Sequence, residues 1–185
     1  SVGAIGITGD PGDIAEFAEL VRMTTELMMQ QAYIASLRER RDRLRAAFAE
    51  ELTQSPPDAA KLQGCLELLR IAPAAPMRIA IARWTAPTPP AGAEDADVGP
   101  LQRTLEQIWG DSAVAAPAAD GRGLLIVAFG CRAEAWDSRF ERTRRSLAAS
   151  HIAATFGVSG EAGRLDELDL LLCEAEFALA ATSEA

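Results

Sequence analysis

Apolar positions in the first quarter of the chain recur in alternating steps of three and four. Ile14, Phe17, Val21, Thr24, Met28, Gln31 and Ala35 form one stripe, and Ile34, Leu37, Arg41, Leu44 and Phe48 continue it after a single phase shift. That spacing places side chains on one helix face. Neither Gly nor Pro interrupts the chain from Asp13 to Ser55, so the pattern predicts one helix from Asp10 to about Leu52. Asp10 is placed to cap it, Pro11 fits the first helical position, and Asp13 suits the positive end of the helix dipole. At 1.5 Å per residue such a helix extends roughly 60 Å, far beyond the ordinary length of about 11–12 residues. A seam sustained over about five heptads favours pairing with a second helix. Ahead of the helix, Val2 to Thr8 reads as a short buried strand with Gly3, Gly6 and Gly9 allowing close backbone approach.

Pro56 and Pro57 end the helical pattern. Ala59 to Leu69 forms a short amphipathic helix, and Met77 to Trp84 reads as a strand. Pro87 to Pro100 is a loop rich in Pro, Gly, Ala and Asp. Leu101 to Trp109 is helical. Ser112 to Ala116 and Leu124 to Phe129 form a hairpin across Asp120-Gly121, a strong turn signal. Glu134 to Ala149 is a helix, Ile152 to Val158 a strand and Leu165 to Ala181 a final helix. From Met77 the order strand–helix–strand–strand–helix–strand matches the ferredoxin-like split βαβ plan, an antiparallel sheet with two helices on one face. The fold class expected is α+β, with a long coiled-coil-like helix ahead of that sheet.

Composition narrows the function. With 49% hydrophobic and 24% charged residues the chain has globular composition, and no apolar run reaches the roughly 18 residues a membrane span needs. Its first residues carry no basic region of a secretory signal; they begin without Met inside an apolar strand, as a piece of a longer chain would. A net charge of −9 opposes general affinity for nucleic acid. Arg38, Arg40, Arg41, Arg43 and Arg45 cluster on the helix, but Glu39 and Asp42 interrupt them, which predicts a solvated, ion-paired face. Cys65, Cys131 and Cys173 are odd in number and widely spaced, so reduced thiols in a cytoplasmic protein are expected. One Lys against seventeen Arg, with abundant Ala, suggests a GC-rich bacterial source.

Sites for chemistry are scarce. The Gly3 to Gly12 opener is no phosphate loop, because its glycines fall every third residue, no Lys-Ser/Thr follows, and Asp10 and Asp13 would repel phosphate. His151 stands alone as the single histidine, whereas zinc needs three or four clustered His/Cys ligands and a nucleophile needs a positioned base. Glu94, Asp95 and Asp97 sit in the Pro-rich loop and are expected to be solvated. No catalytic, cofactor or metal site is therefore assigned from the residues.

Gly3-Ala4-Ile5-Gly6-Ile7-Thr8-Gly9-Asp10-Pro11, followed by Phe17-Ala18-Glu19-Leu20-Val21-Arg22-Met23-Thr24-Thr25-Glu26-Leu27-Met28, resembles the bacterial sugar diacid (carbohydrate diacid) regulators. In that family it corresponds to the last strand of the diacid-recognition sensor and the helix leaving it. Leu68-Leu69-Arg70-Ile71, the Ile79–Trp84 strand and the closing Leu172–Ala180 helix are similar to the family's GGDEF-like central domain. The resemblance implies residues 1–12 as a sensor remnant, 13–53 as a linker and dimerisation helix, and 57–185 as a GGDEF-like domain. It also implies that most of the sensor, which would bind the sugar diacid, and the C-terminal helix-turn-helix that would read DNA are not in this chain. True GGDEF domains condense nucleotides using carboxylates that hold Mg²⁺. Here Ile79–Trp84 offers no acid, and Ala118-Ala119-Asp120-Gly121-Arg122-Gly123 keeps one where the signature would lie.

The expectation is a non-catalytic, cytoplasmic relay segment that binds neither cofactor nor membrane and forms a homodimer through Phe17, Val21, Met28, Ile34, Leu37, Arg41, Leu44 and Phe48. Arg41 inside the seam would set its register. Parallel pairing is expected where both ends join matched modules, although the residues leave the direction open. The alternative is a small effector held in a degenerate GGDEF-like cleft by Arg83, Arg122 and the Pro87–Pro100 loop.

Overall fold

The computed structural model describes residues 11–84, 99–118, 123–150 and 152–183. Two compact units divide the chain, Ser1–Arg41 and Asp42–Ala185. Helix α1 runs Pro11–Leu52, starting at the proline predicted for its first position. The expected opening strand and the Asp10 cap lie outside the described residues, as do the Asp120-Gly121 turn, His151 and the loop acids Glu94, Asp95 and Asp97.

The second unit is α+β. After the last turns of α1 it comprises α2 (Ala59–Leu69), β1 (Met77–Trp84), α3 (Gly99–Trp109), β2 (Ala113–Pro117), β3 (Gly123–Phe129), α4 (Ala133–Ala149), β4 (Ala154–Val158) and α5 (Leu168–Ser183). Asp58 caps α2 by accepting hydrogen bonds from the Ala60 and Lys61 amides at 2.9 and 3.3 Å. Arg70 closes that helix in the left-handed region at φ 61°. Helix α4 ends at Ser150, whose amide donates to Ser146 and Leu147 carbonyls.

The sheet order is β2-β3-β1-β4, every neighbouring pair antiparallel. Because β3 opposes both β1 and β2, those two strands run parallel with β3 inserted between them. Register pairs Ile79 with Val127 and Ala80 with Ile126, so odd positions of β1 and β3 share one face and even positions the other.

Both faces are buried. Ile79, Ile81, Val127 and Phe129 pack with Leu62 and Leu66 of α2, Leu171 and Ala175 of α5, and Phe48 and Leu52 of α1. Ala80, Ile126 and Ala128 pack with Leu105 and Trp109 of α3 and Trp136 and Leu147 of α4. The sequence places two helices on one face, and α3 and α4 are those helices. The opposite face is covered too, which explains why β3 reads as an unbroken apolar run instead of an alternating one. Trp109 and Trp136 meet at 5.1 Å between ring centroids, and the Trp109 indole N–H donates to Thr143 Oγ1 at 3.0 Å.

Residues 42–52, read from sequence as linker, are part of this unit. Phe48 is fully buried, Leu52 nearly so, and Leu44 is partly buried against the same cluster. A side chain enclosed in its own core has no surface for a second copy. Phe48 is thus removed from the predicted helix-pairing seam, and Leu44 is largely withdrawn from it.

Candidate functional site: an exposed helix seam and a cleft on the sheet

The remaining seam positions are displayed. Phe17, Met28, Ile34 and Leu37 are 58%, 65%, 46% and 48% exposed, while Val21 and Arg41 are half-buried. Five further large apolar residues stand equally open on the helix: Met29 and Tyr33, and the group Leu20, Met23 and Leu27. The seam predicted from sequence omits these, although their spacing is legible. Leu20, Leu27 and Ile34 are seven apart, with Met23, Gln30 and Leu37 three residues after each. Taken together they make one a/d series without the phase shift, which continues by spacing through Arg41, Leu44 and Phe48. Soluble helices rarely leave such a row uncovered.

Flanking charges are organised along the same helix. Arg22 bridges Glu19 and Glu26, each at 2.5 Å, an i,i+3/i,i+4 arrangement. Hydrogen bonding from Arg22 holds the Glu19 carboxyl below the usual carboxylate range, and the Arg22 guanidinium is correspondingly raised. These groups are about half exposed to solvent, so the pairs order the surface without contributing much stability.

Arg45 departs from the solvated face expected of the arginine cluster. It is 2% exposed, donates to Asp42 at 3.3 Å and pairs with Glu106 of α3. Its Nε is buried without a hydrogen-bond partner. A buried guanidinium is costly unless paired, and Glu106 supplies that pairing, tying the end of α1 to a helix on the other side of the sheet.

The second unit also holds a cleft of about 900 Å³, within the range of small-molecule sites. Its walls include Ala49 and Glu50 of α1, Arg83 of β1, Leu125 of β3, and Glu176 and Leu179 of α5. Arg83 lines this cleft, whereas Arg122 and residues 87–98 of the loop lie outside the described residues. Among the described residues no cluster of His, Cys, Asp and Glu is arranged to hold a metal ion. The cysteines are free; burial, followed by the charge of Glu51, pushes the Cys65 thiol above its ordinary pKa and makes it a poor nucleophile. No helix among the described residues is long and apolar enough to cross a membrane.

Residues 1–52 match the family described as putative sugar diacid recognition, a match that ends with the last residue of α1. The chain resembles sugar diacid regulators through this N-terminal segment. One similar protein is the carbohydrate diacid regulator of Escherichia coli (strain K12), to which the chain is 39% identical over 54 residues, 29% of this chain and 14% of that protein. The match thus spans about a seventh of the relative's length. No solved structure matches the chain.

Proposed function

We propose that this chain is a dimerising, signal-relaying segment of a sugar-diacid-responsive bacterial transcription regulator, acting in the cytoplasm without catalysis. The observation that carries the reading is the uncovered apolar row on α1, located within the segment that resembles the diacid-recognition family. The partner is a second copy of the same chain. DNA and sugar diacid would be engaged by parts of the regulator beyond these residues. The sheet unit is read as GGDEF-like: its order β2-β3-β1-β4 is that of a split βαβ plan, while β1 carries no carboxylate with which to hold Mg²⁺. A change in the sensor would alter the phase or separation of the paired helices, and the sheet unit would pass it onward.

Energetics suit a reversible association. Leu20, Met23, Leu27, Ile34 and Leu37 each retain about half of their surface in water. Covering that remainder on two helices yields on the order of 10 kcal/mol, against an association cost of about 4–15 kcal/mol. Pairing should therefore depend on concentration. Light scattering of the 185-residue chain should give a dimer mass at high concentration, and the double variant Leu20→Asp, Leu27→Asp should give a monomer with unchanged circular dichroism. A monomer already in the unaltered chain would refute the dimer.

A second reading is favoured by one observation, the presence of Arg83 in the wall of the cleft. Here the sheet unit would hold a small effector against Ala49, Leu125 and Leu179. Calorimetric titration with nucleotides and dicarboxylates should show heat that Arg83→Ala abolishes; absence of heat across the panel removes this reading.

A further inference from the structure

We infer that the α1 seam pairs with a second copy of itself in antiparallel orientation, about a twofold axis between residues 28 and 29. This rests on the dimer reading above and assigns the direction and register that it leaves open. Leu20, Met23, Leu27, Gln30, Ile34 and Leu37 occupy successive a and d positions, and the five apolar members are exposed. In an antiparallel pair each a position faces a d position of the other helix. Setting Leu20 opposite Leu37 also sets Met23 opposite Ile34 and Leu27 opposite Gln30, and each pairing occurs twice. The two Gln30 carboxamides then fall in adjacent layers beside the axis, where each can bond the other. A polar pair at that position fixes register.

Charge selects this direction over the parallel one. From Phe17 to Met28 the ionisable residues are Glu19, Arg22 and Glu26, whereas Arg38 to Arg43 holds four arginines against Glu39 and Asp42, Arg45 being taken up by Glu106. A parallel pair would bring both arginine-rich ends together within a Debye length of roughly 8–10 Å. Reversing one helix sets each arginine-rich end against an acidic one. In the register given, Glu19 flanks the same layer as the second copy's Arg40, and Glu26 flanks that of its Tyr33. Both glutamates are already half-exposed and oriented by Arg22, so they can take a further donor without breaking that contact. The apolar row also ends at Leu37, before Leu44 and Phe48 turn into their own core, so this register asks nothing of buried residues.

Disulfide trapping tests it in the full chain carrying Cys65→Ala and Cys173→Ser. A disulfide needs Cβ atoms about 3.5–4.5 Å apart, which restricts it to residues of one layer. An equimolar mixture of Leu20→Cys and Leu37→Cys chains should, on mild oxidation, give the mixed disulfide in about tenfold or greater excess over either homodisulfide. Met23→Cys with Ile34→Cys should behave the same way, guarding against one poorly placed pair. Efficient homodisulfides from each single variant would establish parallel pairing and overturn the antiparallel register while leaving the dimer intact. A dimer mass with no trapping in either mixture would place the interface elsewhere and also overturn it. A monomer mass would overturn the dimer reading itself.

Discussion

Gly157→Val is expected to lower the stability of the sheet unit by about 3 kcal/mol or more, the upper range for overpacking. Strand β4 passes directly beneath α5, and a Cβ built on Gly157 meets the backbone carbonyl of Ala175, the Leu179 amide nitrogen at 2.6 Å and its Cβ at 2.7 Å. None of these is the end of a flexible side chain. The helix must lift or the strand must shift, and either movement opens the cluster containing Leu171, Ala175 and Leu179. Urea denaturation should show a lower midpoint, with α5 amides losing hydrogen-exchange protection first. A midpoint within error of the parent would show that α5 does not depend on that close approach.

Phe48→Ala is expected to cost about 3–5 kcal/mol, as large aromatic truncations in closed cores do. Phe48 is fully buried among residues of α2, α5 and the sheet, so its loss leaves a cavity. Leu27→Ala, on the exposed part of the same helix, should leave the unfolding midpoint of the sheet unit unchanged. If Phe48→Ala instead altered mass and spared stability, the helix-pairing role implied by its heptad position would be restored. The contrast between the two variants separates core from interface along one continuous helix.

Much of this architecture was legible because the local signals were strong and agreed with one another. The limits of α2 and β1 follow from Asp58 and Pro56–Pro57 on one side and from a compact apolar run on the other. The strands β2 and β3 and the helices α3 and α4 fall within a residue or two of the limits predicted. Periodicity could not reveal where the long helix stops serving one role and begins another. Leu37, Leu44 and Phe48 obey the same three–four spacing, yet Leu37 is open and Phe48 is enclosed. Spacing encodes that a face is apolar, not what covers it. Arg45 was hidden for a related reason: its partner Glu106 is 61 residues away, and an arginine among arginines reads as solvated until a distant carboxylate is brought beside it. The cleft was equally silent, since Ala49 and Leu125 carry no mark of lining a space.

The buried anchoring of α1 at Phe48, Leu52 and Arg45 has a mechanical consequence. A helix resting on a surface can roll, dissipating torque in side-chain slippage. One whose last turns are keyed into a core by two large hydrophobes and a buried ion pair cannot turn there without unpacking its seat. Residues 42–52 thus form a keyed seat: any turn there has to displace α2, α5 and, through Arg45 and Glu106, α3 together.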